Sequence, residues 1–264
     1  MSGPHPSVRP FAAALALAVW LAAPAAAQEE PAGEADAASG EVAFDLGSHY
    51  VWRGLRLSRG LVSQGEIDAE YKGFGAGIWS NYDPHEYPLE SGHRRQVTET
   101  DVTAWYGRPW GPGTATGGLV YYAQRGGPDT TELFVAYELD VPLSPSATLY
   151  LDVDEGDGGF LLLAAAHSVP LSAALALEVG VEAGFNLKNA AMGTDEHDRA
   201  FAGPYHGEIW TGTSIPLGRG LSLSPRVAVS FPLSGRAGDA MAWSGYDGDT
   251  RTVVYGSVGV SAAF

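Results

Sequence analysis

The chain has no cysteine among its 264 residues. That leaves no disulfide framework, no thiolate metal site and no thiol for a lipid anchor. Cations are scarce, with 15 Lys and Arg against 31 Asp and Glu and a formal charge of −16. Nucleic-acid phosphates need Lys and Arg, so that class of partner is excluded. Long apolar runs are missing beyond the first 27 residues, and a membrane helix needs about 20 apolar residues in a row. Catalytic signatures are missing too: there is no G-x-S-x-G, no H-E-x-x-H and no phosphate-cradling G-x-x-x-x-G-K.

Residues 1–27 read as a secretory signal peptide. Arg9 is its positive end, Phe11 to Ala23 is uncharged and apolar, and Pro24 with Ala25-Ala26-Ala27 forms the small-residue cleavage site before Gln28. Losing Arg9 with this segment takes the formal charge to −17. Residues 28–40, rich in Ala, Glu, Gly and Pro, read as a flexible acidic leader on the periplasmic side.

From residue 41 to 264 one pattern repeats: strands of about 10 residues separated by turn-forming residues. The expected strands are 41–53, 62–72, 73–83, 97–108, 114–124, 130–140, 146–155, 159–169, 173–186, 205–215, 220–232 and 252–264. Connections of one parity are all short: Lys72-Gly73, Pro109 to Gly113, Val141 to Pro145, Pro170 to Ser172 and Pro216 to Arg219. The other parity, 54–61, 84–96, 125–129, 156–158, 187–204 and 233–251, holds every long loop. A soluble sandwich has no reason to sort loops this way. The expected fold is therefore all-β, an antiparallel up-and-down transmembrane β-barrel of about 12 strands after a cleaved signal peptide. The end of the chain agrees. Counting back from the terminal aromatic Phe264, Ala262, Val260, Val258, Gly256 and Val254 are apolar or small, which is the alternation of a lipid-facing strand. Phe264, Ala262, Val260 and Val258 read as the signal for the outer-membrane assembly machinery.

Strand faces alternate likewise. Leu175, Leu177, Val179, Val181, Ala183 and Phe185 oppose Ala176, Glu178, Gly180, Glu182 and Gly184. The polar faces point to a lumen and carry mostly acids: Asp68, Glu70, Asp101, Glu132, Glu138, Asp152, Asp154, Glu178, Glu182 and Glu208, with Arg53 and Arg226 as the few cations. Unpaired carboxylates in a dry interior cost several kcal/mol each. So many acids imply either water inside, as in a cation-favouring pore, or a polar plug of ion pairs around the arginines.

Ser48-His49-Tyr50-Val51-Trp52-Arg53-Gly54-Leu55 resembles the S-x-Y-V-[FW]-R-G opening of the TorF-type porin family. The likeness continues through Gln64-Gly65-Glu66-Ile67-Asp68 and Gly73-Phe74-Gly75-Ala76-Gly77-Ile78-Trp79, with Ser80-Asn81 one residue short of the family pattern. Glu99-Thr100-Asp101-Val102 sits where that family has an acidic strand start. The resemblance covers residues 46–108. It implies an outer-membrane barrel and a channel, and it transfers no substrate or catalytic residue. At the outer end of the first strand, Tyr50 and Trp52 would suit an interfacial girdle, and Arg53 would pair with Asp68 or Glu70 while Gly54 permits the turn.

Three functions compete on this reading. The leading one is a porin-like channel for passive diffusion of small, cationic solutes through an acid-lined lumen. The second is a non-conducting scaffold for a periplasmic partner, engaged through the leader. The third is a hydrolase at the outer rim, for which Asp195-Glu196-His197-Asp198 is the best cluster. No enzyme activity, cofactor or metal is expected. Asp154-Glu155-Gly156-Asp157-Gly158 and Asp247-Gly248-Asp249 lack EF-hand spacing, and turn chemistry explains them. His85, His93, Arg94 and Arg95 form a local basic patch suited to lipopolysaccharide phosphates.

Overall fold

In the computed structural model the described residues are 37–85, 96–125, 127–172, 175–194, 199–244 and 251–264. The signal segment, most of the leader, His93, Arg94 and Arg95, the 195–198 cluster and the 247–249 loop lie outside them. In chain order the strands are β1 (Ser39–Gly47), β2 (Val51–Trp52), β3 (Leu55–Arg56), β4 (Val62–Tyr71), β5 (Phe74–Asp83), β6 (Gln96–Trp110) and β7 (Gly113–Gln124). There follow β8 (Thr130–Leu139), β9 (Ser146–Asp152), β10 (Gly158–Ser172), β11 (Leu175–Leu187), β12 (Ala202–Gly212), β13 (Ile215–Gly218), β14 (Leu221–Pro232) and β15 (Val253–Ala263). One helix, α1 (Gly235–Ser244), precedes β15.

Twelve of these strands close into one antiparallel up-and-down barrel. Each pairs with its neighbours in the chain, β12 pairs with β14, and β1 closes the seam against β15. The seam runs past the strand ends: the Gly40 N–H donates to the Phe264 carbonyl, and the Phe264 N–H to that of Gly40, both at 2.9 Å. The Phe264 ring lies over Gly40, where a Cβ would meet it at 2.6 Å.

The alternation decides which face is which. Val42, Phe44 and Leu46 of β1 are exposed, as are Val254, Val258 and Val260 of β15, so the barrel wears an apolar belt outside. Exposed aromatics gather at the short-turn end: Tyr71, Phe74, Tyr106, Trp110 and Phe264. Phe74 packs on Tyr106 at 4.5 Å between ring centroids, and Trp110 on Tyr137 at 5.9 Å. This is the ring of amphipathic side chains that a membrane interface favours.

Three expectations need correction. The first strand was expected over 41–53, but β1 stops at Gly47 and residues 50–58 of the following segment fold into the barrel. Tyr50 and Trp52 are therefore core residues, each 3 % exposed, and not girdle aromatics. The seventh expected strand reached residue 155, but β9 ends at Asp152. Asp154 sits exposed in the following loop and faces no lumen.

Candidate functional site: an apolar plug above an acidic vestibule

The segment between β1 and β4 makes its own hairpin inside the barrel. β2 and β3 pair through Val51–Arg56 and Trp52–Leu55. The turn between them is Arg53-Gly54, both with positive φ (44° and 86°), the two-residue geometry that matches strand twist. Glycine is required at the second place. A Cβ on Gly54 would stand 2.6 Å from Met241 and 2.8 Å from His206. The hairpin base is tied by the Tyr50 N–H to Ser58 Oγ at 2.7 Å and the Leu57 N–H to the Tyr50 carbonyl at 2.8 Å.

Arg53 is the centre of this plug. Its guanidinium donates twice to Glu132 on β8, Nη1 to Oε1 and Nη2 to Oε2, each at 2.8 Å. The two side chains are 7 % and 2 % exposed. Tyr122 O–H donates to Glu132 Oε2 at 2.6 Å, and Asn189 Nδ2 to Oε1 at 3.4 Å. Around the cation stand three rings, Trp52 and Tyr150 at 4.4 Å and Phe160 at 4.5 Å. Burial opposes the charge, but the Glu132 carboxylate and its hydrogen bonds outweigh it and hold the Arg53 guanidinium above its ordinary pKa. The expected partners Asp68 and Glu70 are not used; Glu132 takes the arginine because the hairpin carries it across the interior.

Two further segments from the long-loop end fill the space. Ser234 caps α1, its Oγ accepting from the Ala237 N–H at 3.1 Å. Ala237, Ala240 and Met241, spaced on one helix face, are buried against the hairpin. A 3₁₀ turn, Ala190–Met192, buries Met192, whose carbonyl accepts from Tyr205 O–H at 2.7 Å. These residues form one core with Leu55, Leu57, Phe134, Tyr150, Phe160 and Phe201.

Toward the short-turn end the inward positions of β1 and β4 carry mostly carboxylates. Along β4 the inward positions pass from buried Val62 through half-buried Gln64, Glu66 and Asp68 to exposed Glu70. Glu41 pairs in register with Asp68, and Glu66 lies within electrostatic reach of Asp68, Asp45 and Glu41. On β6 Asp101 stands level with Glu66 and Glu99 one step nearer the plug, both buried. Side chains here lean along the wall: Asp68 lies over Gly77, and Trp105 over Gly75 with its Nε1 donating to Glu70 at 3.2 Å. On the opposite wall Glu182 pairs in register with Glu208. Glu208 accepts from Arg226 Nη2 at 2.7 Å and from Tyr255 O–H at 2.6 Å.

The structure thus splits the acids into groups. Arg53 and Glu132 belong to the plug. Asp152, buried on β9, accepts from Thr130 O–H at 2.9 Å and orders the following loop through the Asp154 N–H at 3.0 Å. Asp68, Glu70 and Asp101 sit on one wall, Glu178, Glu182, Glu208 and Arg226 on the other, and Glu138 half-buried near the short-turn end of β8. Sequence reasoning did not place Glu41, Asp45, Glu66 and Glu99 in the lumen, although Glu66 shares parity with Asp68 and Glu99 with Asp101 on their own strands. It also missed the Arg53 cage, whose rings come from three separate stretches of chain.

No family model matches the chain, and no curated protein matches it. Solved structures do. The KdgM porin, also solved in complex with disordered oligogalacturonate, superposes with a TM-score of 0.52 at 12 % identity, over 86 % of this chain and 99 % of that one. An outer-membrane channel from Pseudomonas putida F1 gives 0.50 at 10 % identity, over 89 % of this chain and all of the other. At these identities the likeness is one of fold, and the chain has the fold of a porin-like, twelve-stranded outer-membrane barrel.

Proposed function

We propose that this chain is a porin-like channel of the bacterial outer membrane that favours small cationic solutes and is closed at rest by its own hairpin. The observation that carries the reading is the inward acidic wall, Glu41, Asp45, Glu66, Asp68 and Glu70, which becomes more exposed toward the short-turn end. Carboxylates in a water-filled lumen attract cations and repel anions. The apolar belt, the aromatic ring and the sorting of loops support a membrane orientation with long loops outside the cell and both termini in the periplasm. Export through the 1–27 signal and assembly through Phe264, Ala262, Val260 and Val258 belong to the same reading. So does membership of the TorF-type porins, whose opening motif here builds the plug hairpin.

Conduction in this scheme requires the 48–61 segment to leave the lumen. The test is single-channel conductance of the refolded protein in planar bilayers under a salt gradient. Expected are rare openings in the wild type, frequent ones in Arg53→Ala, and a reversal potential on the cation side in both. A folded barrel that never conducts, in either form, overturns the channel. The filled long-loop end favours a second reading in that event, a non-conducting barrel that docks a periplasmic partner through residues 28–40.

A further inference from the structure

Glu66, Trp79 and Asp101 stand side by side across three adjacent strands. Glu66 of β4 pairs in register with Trp79 of β5, and Trp79 with Asp101 of β6. Neighbouring strands lie about 4.8 Å apart, so the two carboxylate-bearing positions flank the indole at about 10 Å from one another. All three side chains point inward, and Trp79 keeps part of its surface open.

Asp101 makes this row more than a patch of acid. It is 2 % exposed, and among the described residues no amide, guanidinium or hydroxyl group donates to either of its carboxylate oxygens. Its neighbour on the strand face is a second carboxyl, Glu99, which lies within hydrogen-bond reach of it and accepts from Tyr50 O–H at 3.0 Å. Tyr50 in turn packs on Trp79 at 5.4 Å between ring centroids. A buried carboxylate without such a donor is strongly unfavourable unless it takes up a proton or a cation comes to it.

We propose that the Glu66–Trp79–Asp101 row is a binding site for an alkylammonium ion. Its N–H groups would satisfy the Asp101 and Glu66 oxygens, and its charge and methylenes would rest on the indole face. Both halves of that ligand are matched: ammonium for the carboxylates, and a polarised alkyl group for the π system. A bare metal ion fits less well. Among the described residues no three His, Asp or Glu side chains converge to hold one, and an indole offers a metal no oxygen ligand. The site rests on the channel reading for its role, as the place where an amine pauses below the plug; the binding itself does not depend on conduction.

The test uses the full-length refolded barrel in detergent, titrated with 1,4-diaminobutane by calorimetry, with KCl and CaCl₂ at matched ionic strength as comparison. The wild type is expected to bind the diamine, Asp101→Asn to weaken it by about tenfold or more, and Trp79→Leu by about threefold. Asp239→Asn, on the exposed side of α1, is expected to leave it unchanged. Heat-modified gel migration reports folding, and if Asp101→Asn does not fold, the half-buried Glu66→Gln replaces it. No diamine binding to the wild type overturns the site, as does binding indifferent to these variants, or Ca²⁺ bound more tightly at the same residues. Potassium conductance on the same samples separates the two claims. A conducting pore without diamine binding removes the site and keeps the channel. Diamine binding to a barrel that never conducts keeps the site and removes the channel.

Discussion

Truncating Arg53 leaves Glu132 buried beside three aromatic rings with no counter-ion. Such broken pairs destabilise by about 3–5 kcal/mol, whereas replacing both partners with apolar side chains of similar volume is often neutral or better. Arg53→Ala is therefore expected to lower the urea midpoint sharply, and Arg53→Met with Glu132→Leu to restore it. A single variant as stable as the wild type would show that the pair holds nothing. At the rim, Asp129 accepts from Tyr121 O–H at 2.5 Å and from the Gln124 N–H at 3.0 Å. These bonds hold its carboxyl below the usual range. Its folded pKa is thus depressed, so its contribution is present above the unfolded value and is lost as pH falls through the lowered one. An NMR titration is expected to show the loop at 125–129 loosening only in acid, and the Asp129→Asn loop to be insensitive to pH there.

At the scale of elements, the hairpin depends on its turn. Gly54→Val places a β-branched residue at a φ of 86° and against Met241, a backbone cost of about 1–3 kcal/mol before the clash is counted. Protease cleavage within 48–61 is expected to accelerate; an unchanged rate would contradict the buried hairpin. Ser234→Ala removes the cap of α1 at about 1 kcal/mol, and hydrogen exchange at the first turn of that helix is the measurement. Barrel strands were legible from alternation because each has one apolar and one mixed face. The hairpin was not, since Val42, Phe44, Leu46, Tyr50 and Trp52 keep one parity straight through the break. The contrary signal was local: Val51, Leu55 and Leu57 put apolar groups on both faces, and Arg53-Gly54 is a turn. Helix α1 was hidden for another reason. Its apolar stripe is three small or flexible residues, Ala237, Ala240 and Met241, too slight to stand out in a polar loop.

The whole molecule carries its charge by wall. Cations pair within the plug at Arg53 and on one side at Arg226, and the β1–β4–β6 side keeps its acids facing one another. Neutralising Glu66 and Asp68 together as Gln and Asn is expected to move the reversal potential toward zero with folding intact; no movement would place the selectivity elsewhere. The architecture was readable at this scale because loop parity and strand parity are properties of the entire chain. Which acids meet which arginine was not, because a closed barrel sets strands from distant parts of the sequence face to face, and no local pattern records the crossing. Phe264→Ala is expected to leave the finished barrel stable while slowing its insertion, read as the fraction of heat-modifiable protein over time.

The seam has a consequence for the order of events. Ser48 Oγ accepts from the Gly256 N–H across a separation of 208 residues, and the β1–β15 pairing beside it is equally remote in the chain. Contacts of such range form late, since the entropy of closing the ring must be met before they can contribute. Until β15 is present, β1 has an unpaired edge, and such an edge invites another chain to add a strand. A nascent chain arrested before β15 is then a sticky open sheet, so its survival depends on being held extended in transit, and its folding is a single commitment made when both ends arrive together.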